Sequence, residues 1–155
     1  MGALDGLKVL ELGGIGPGPF CGMLFADMGA DVVTIDRGGW EGSRGFVIPS
    51  RFDCCNRNKR SVTLDLKSGQ GSAAALSLAQ RADVVIDPFR AGVAERLGLG
   101  PETCQRLNPR LVYGRITGWG QEGPYASMAG HDLNYIAISG ALAAMGPPDR
   151  PPAIP

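Results

Sequence analysis

Leu7-Lys-Val-Leu-Glu-Leu12, Gly13-Gly-Ile-Gly-Pro-Gly-Pro19, Phe20-Cys-Gly-Met-Leu-Phe-Ala-Asp-Met-Gly29 and Ala30-Asp-Val-Val-Thr-Ile-Asp36 follow one another without a break. The first segment is short and mostly apolar, as a buried strand is, and the second is a loop. The third carries Phe20, Met23, Leu24 and Met28 at helical spacing, with Pro19 suited to a first helical position. The fourth is rich in β-branched residues and reads as a strand. Strand, glycine loop, helix and strand within about 30 residues make a βαβ unit, which implies a parallel sheet.

The rest of the chain repeats the alternation. Ser61–Leu66, Asp83–Asp87 and Leu111–Ile116 read as further strands. Gln70–Ala82, rich in Ala and Leu, reads as a helix, and Gly92–Leu97 and Pro101–Leu107 as short helices. Residues 38–58 are irregular. After a glycine-rich turn at Gly118–Pro124, residues 132–145 read as one helix, broken or kinked at Gly140. There is no internal repeat. The expected fold is α/β, a Rossmann-like parallel sheet with flanking helices over residues 1–146. Residues 147–155 form a Pro-rich extended stretch that reads as the start of a connector cut short.

Composition narrows the function. The 155 residues carry 15 Lys plus Arg against 15 Asp plus Glu, and mean hydropathy is +0.01. Zero net charge argues against nucleic-acid or anionic-membrane partners, whose affinity rests on excess cations. Arg nevertheless outnumbers Lys by 12 to 3, which suits forked recognition of phosphate or carboxylate. Cys21, Cys54, Cys55 and Cys104 form no C-x-x-C pair, so a reduced intracellular chain without a metal site is expected. No run reaches the length of a membrane span, and the N-terminus lacks the charged start and apolar block of a signal peptide. A soluble, cytoplasmic protein is expected.

The glycine loop invites a dinucleotide reading, with Asp36 where a ribose-binding acid sits. The fingerprint fails. Starting at Gly14 and Gly16, the third glycine position is Pro19; starting at Gly16 and Gly18, it is Cys21. Pro17 and Pro19 also remove two N–H groups that would hold a pyrophosphate. The better reading is a tight strand-to-helix turn.

Cations recur at strand ends. Arg37 follows the second strand, at the edge where open α/β sheets bind ligands, and either faces a phosphate or pairs with Asp36. Arg57-Asn-Lys-Arg60 leads into a strand and is either a solvated face or a phosphate contact. Arg90 follows the fourth strand. Together they favour a polyanionic small molecule. His131 is the single histidine, after a glycine at a helix start, where the macrodipole favours a neutral base. Its unperturbed pKa suits proton abstraction near neutrality.

Six segments in order resemble one family: Leu10–Phe20, Gly29–Arg37, Asn58–Lys67, Phe89–Pro101, Thr117–Pro124 and Gly130–Tyr135. The chain resembles the N-terminal part of the alpha-methylacyl-CoA racemases, within the family III CoA-transferase superfamily. Within that superfamily it is the Gly130-His-Asp132 segment that points to racemases. The resemblance implies a Rossmann-like domain that binds CoA, with no cofactor beyond the CoA of the substrate. It implies that Arg37 and Arg90 contact the nucleotide and phosphates, with Lys59 and Arg60 as additional contacts. Leu64, Asp65, Leu66 and Lys67, and Gly130, Asp132, Leu133, Asn134 and Tyr135, match stretches lining the acyl-CoA site. His131 matches one of two bases that exchange the proton at C2 of a 2-methylacyl thioester. The other is an Asp in a Gly-Asp-Phe-Gly-Gly type segment, absent from these 155 residues and expected just after Pro155. A second domain and an interlocked homodimer are also implied, so the chain reads as an N-terminal fragment of a longer enzyme. The alternatives are a CoA transferase acting between carboxylic acids and a CoA-binding module without catalysis.

Overall fold

In the computed structural model, residues 2–37, 52–147 and 149–153 are described. They form a five-stranded, all-parallel sheet in the order β3-β2-β1-β4-β5. The strands are β1 (Lys8–Glu11), β2 (Asp31–Asp36), β3 (Arg60–Thr63), β4 (Val84–Asp87) and β5 (Val112–Arg115). The helices are α1 (Pro17–Asp27), α2 (Gly69–Ala79), α3 (Val93–Arg96), α4 (Pro101–Leu107) and α5 (Asp132–Ile138). The α/β architecture expected from the sequence is the one observed. Most of the irregular segment, residues 38–51, lies outside the described residues; its last part holds a 3₁₀ turn at Cys54–Asn56.

Alternation along β1 builds two cores, because successive side chains leave a strand on opposite faces. Val9 joins Ala26, Ala30, Val32 and Ile86 on the α1 side. Leu10 and Leu12 join Ile35, Ala75, Ala79, Val85, Leu99, Cys104 and Leu111 on the α2 and α4 side. The small residues of α2, Gly71, Ala75 and Ala79, form its buried face and let it lie close to the sheet. Its start is fixed by Ser68, whose Oγ accepts the Gly71 N–H at 3.0 Å.

Several boundaries differ from the sequence reading, among them the end of α2, at Ala79 where Ala82 is expected. Helix α1 starts earlier, at Pro17, because Gly16 takes φ 72° and a proline in the first helical turn loses no hydrogen bond. Strand β3 ends at Thr63; Leu64 still donates to the Asp36 carbonyl at 2.9 Å, and then the chain turns. The helix expected over 132–145, broken or kinked at Gly140, is indeed broken there into two pieces. Gly140, at φ 80°, separates α5 from a 3₁₀ turn at Ala141–Ala144.

Candidate functional site

In a parallel sheet every strand exits on the same edge, so the topology gathers the loops after β1, β2, β3, β4 and β5. The strand order reverses between β1 and β4, and there the glycine loop meets the turn after β4. A Cβ on Gly14 would lie 2.7 Å from Pro88 Cγ, and one on Gly18 would lie 2.8 Å from Pro88 Cβ. Those glycines receive a proline of the same chain, which is why the loop is glycine-rich without a dinucleotide fingerprint.

Arg37, Leu64–Lys67 and Arg90 lie on this edge. Arg37 and Arg90 are exposed. Asp65 Oδ1 accepts the Lys67 N–H at 3.0 Å, and the Asp65 carbonyl accepts the Ser68 N–H at 3.0 Å, so 65–68 is a tight turn into α2. Leu64 and Leu66 turn their side chains onto the core, leaving Asp65 and Lys67 exposed.

The basic run, read as a solvated face or a phosphate contact, is engaged by acids of the same chain. Arg57 bonds the Asp27 carboxylate, and Asn58 donates to Asp27 Oδ1 at 3.2 Å. Arg60 holds both oxygens of Asp31 at 2.5 Å, toward the opposite edge of the sheet. Lys59 Nζ donates to Glu11 Oε2 at 2.6 Å and to the Pro19 carbonyl at 2.8 Å; its side chain is 2% exposed and that of Glu11 0%. Each cation of the run thus meets an acid supplied by β1, β2 or α1. Burial raises the Glu11 carboxyl above its ordinary range, and the Lys59 ammonium opposes that shift without cancelling it. Gly22 leaves room for the pair: a Cβ there would overlap Glu11 Oε2 and lie 2.9 Å from Lys59 Nζ.

The loop after β5 carries His131 on an aromatic support. Trp119 packs edge-on to Tyr135 with ring centroids 4.9 Å apart and lies 5.4 Å from Tyr125. Gly118 and Gly130 close on the Tyr135 hydroxyl, where a Cβ at either position would overlap it. His131 is the exposed N-cap of α5, and its N–H donates to Asn134 Oδ1 at 2.9 Å. Asp132, Leu133 and Asn134 are exposed on the first turn, and Tyr135 is half-buried. Asn134 and Tyr135 therefore fix the backbone on either side of the imidazole.

Sequence reading passes over Asp87, Tyr113 and Arg115. Asp87 is 3% exposed, and burial raises its carboxyl above the ordinary range. The signal available is an acid closing an otherwise apolar strand, as Glu11 interrupts β1.

The sequence pattern of CoA-transferase family III matches residues 4–155. The chain belongs to this family. It is 50% identical over 146 residues to the alpha-methylacyl-CoA racemase of Homo sapiens, covering 93% of this chain and 36% of that protein. It is 40% identical over 156 residues to the succinyl-CoA–D-citramalate CoA-transferase of Chloroflexus aurantiacus, covering 96% of this chain and 39% of that one. A CaiB/BaiF family protein from Brucella suis superposes with TM-score 0.89 at 37% identity, over 99% of this chain and 43% of its own. The chain thus spans little more than a third of the length of these curated relatives. The family member's described residues contain no helix long and apolar enough to cross a membrane.

Proposed function

We propose that the full-length protein containing this chain inverts C2 of 2-methylacyl-CoA thioesters, in the cytoplasm and as an interlocked homodimer, with no cofactor beyond the CoA of the substrate. The observation that carries this reading is His131, held exposed at the head of α5 by the Trp119–Tyr135 packing and the Asn134 cap. The 50% identity to a racemase over nearly the whole chain supports it. Arg37 and Arg90 take the CoA phosphates, the turn at Asp65–Lys67 and the Gly130–Tyr135 segment line the thioester, and His131 removes or returns the C2 proton on one face. The thioester acidifies that hydrogen, and an enolate carries the charge between the two transfers. Inversion needs a base on the opposite face, and Asp132, next to His131 in the chain, belongs to the segment that lines the thioester. That base lies outside these 155 residues.

CoA transfer between carboxylic acids is the second reading, supported by the 40% identity to a CoA-transferase. Incubation of an enantiopure 2-methylacyl-CoA in deuterated water separates the two. The racemase reading expects deuterium at C2 accompanying epimerisation, and abolition of both by His131→Ala. Movement of CoA to an added carboxylate through a covalent acyl intermediate, with no C2 exchange, would overturn it.

A further inference from the structure

We infer that Asp87 is a positioning residue for Arg90, fixing the turn from which that guanidinium meets the CoA phosphates; the inference rests on the CoA-site reading above. Asp87 closes β4 and is buried, an unusual place for a carboxylate unless its oxygens are used. Both are. Oδ1 accepts the Phe89 N–H at 2.9 Å. Oδ2 lies 3.2 Å from the Tyr113 hydroxyl, whose single proton also faces the Leu99 carbonyl at 2.8 Å, and 4.0 Å from Arg115 Nε. Arg115 is itself held by Glu95 and by Gln121 Oε1, the latter at 2.7 Å, so the acid is anchored to β5, to α3 and to the loop after β5.

The neighbouring residues are pinned as well. Pro88 rests against Gly14 and Gly18, Phe89 packs on the core, and the Arg90 carbonyl accepts the Val93 N–H at 3.1 Å around Gly92 at φ 75°. From 87 to 92 the backbone is held on both sides, and the Arg90 side chain projects from it into solvent. A single hydrogen bond to Phe89 would satisfy the turn, and an asparagine could accept it. The additional contacts with Tyr113 and Arg115 set that turn against β5. A long cation presented from a fixed backbone loses less freedom when a phosphate arrives, which is the advantage of a supporting shell.

The test is a binding cycle by calorimetry on the full-length protein, with CoA as the titrant. Arg90→Ala should weaken binding roughly ten- to a hundredfold and Asp87→Ala about tenfold, while Asp87→Asn, which keeps an acceptor for Phe89, stays within about threefold. With Arg90→Ala already present, Asp87→Ala should cost nothing further, because no guanidinium remains to be placed. An equal loss in both backgrounds overturns the positioning role and leaves the Arg90 contact standing. Unchanged affinity on Arg90→Ala overturns the CoA-site reading and this inference with it. If Asp87→Ala does not fold, Gly18→Ala, which presses on Pro88, runs through the same cycle with the same expectation and the same overturning result.

Discussion

Lys59 Nζ lies 2.6 Å from Glu11 Oε2 beneath α1, and neither side chain reaches solvent. The two residues are 48 positions apart, and their contact ties the segment leading into β3 to the end of β1 and, through the Pro19 carbonyl, to the start of α1. Removing one partner leaves the other charge buried alone. Lys59→Met should therefore lower unfolding free energy by about 3–5 kcal/mol, and Glu11→Leu with Lys59→Met should recover most of that loss. Urea denaturation checks both. A loss below about 1 kcal/mol for Lys59→Met would show that the pair is not closed in solution.

Gly22 should be intolerant for the same reason. A methyl there overlaps the Glu11 carboxylate, so Gly22→Ala should destabilise by about 1–3 kcal/mol despite the gain in helix propensity. Gly69, also helical, has nothing within 4 Å of a built Cβ, and Gly69→Ala should be neutral or stabilising by up to about 1 kcal/mol. Thermal melts of the two variants should move in different directions.

Asp87 gives a pH dependence with a definite sign. Burial, the largest influence, raises its carboxyl above the ordinary value of 3.8, and the Phe89 N–H, Tyr113 and Arg115 oppose that only in part. The folded chain therefore holds this proton more tightly than the unfolded chain. The associated stability is present at pH below the ordinary value and is lost as pH rises through the raised one. Relative to Asp87→Asn, the unsubstituted protein should lose stability as pH is raised from about 4 toward neutrality. Paired melting curves across that range check it, and a relative gain with rising pH would contradict the assignment.

The aromatic support of His131 can be loosened without touching the sheet. Trp119→Ala removes two ring contacts, each worth about 0.5–1.5 kcal/mol, and the hydrogen bond from Trp119 Nε1 to the Ala129 carbonyl. Amide exchange over residues 118–131 should quicken by about tenfold or more, with protection in β1 and β4 unchanged. Uniform loss of protection would mean that the loop is integral to the sheet's stability.

How much of this is legible in the sequence differs between elements and site. The βαβ signal over Leu7–Asp36 is local: apolar runs of strand length, a glycine loop and a helical stripe, each decided by nearby residues. The parallel sheet follows from it. The break at Gly140 is legible for the same reason, because a glycine inside an apolar helical run marks where a left-handed backbone can end it. The partners of the basic run are hidden for a deeper reason. Whether Arg57, Lys59 and Arg60 face a ligand or an acid depends on Asp27, Glu11 and Asp31, which lie 29 to 48 positions away and meet them only when the sheet closes. Spacing along the chain carries no trace of that. The Asp87–Tyr113 contact spans 26 positions and is hidden in the same way.

Pro88, seated on Gly14 and Gly18, has a consequence for how this edge responds to salt. Where a nucleotide-binding fold offers backbone amides at a helix start, the donors are built into the main chain. Here the loop places a proline ring and two prolines of α1, Pro17 and Pro19, in that position, so the amides that would meet a phosphate are missing or covered. A polyanion seated at this edge must draw its counter-charge from exposed guanidinium groups. Such contacts weaken as ionic strength rises and the Debye length shrinks toward a few ångströms. They can also be adjusted one side chain at a time, with the fold beneath them left untouched.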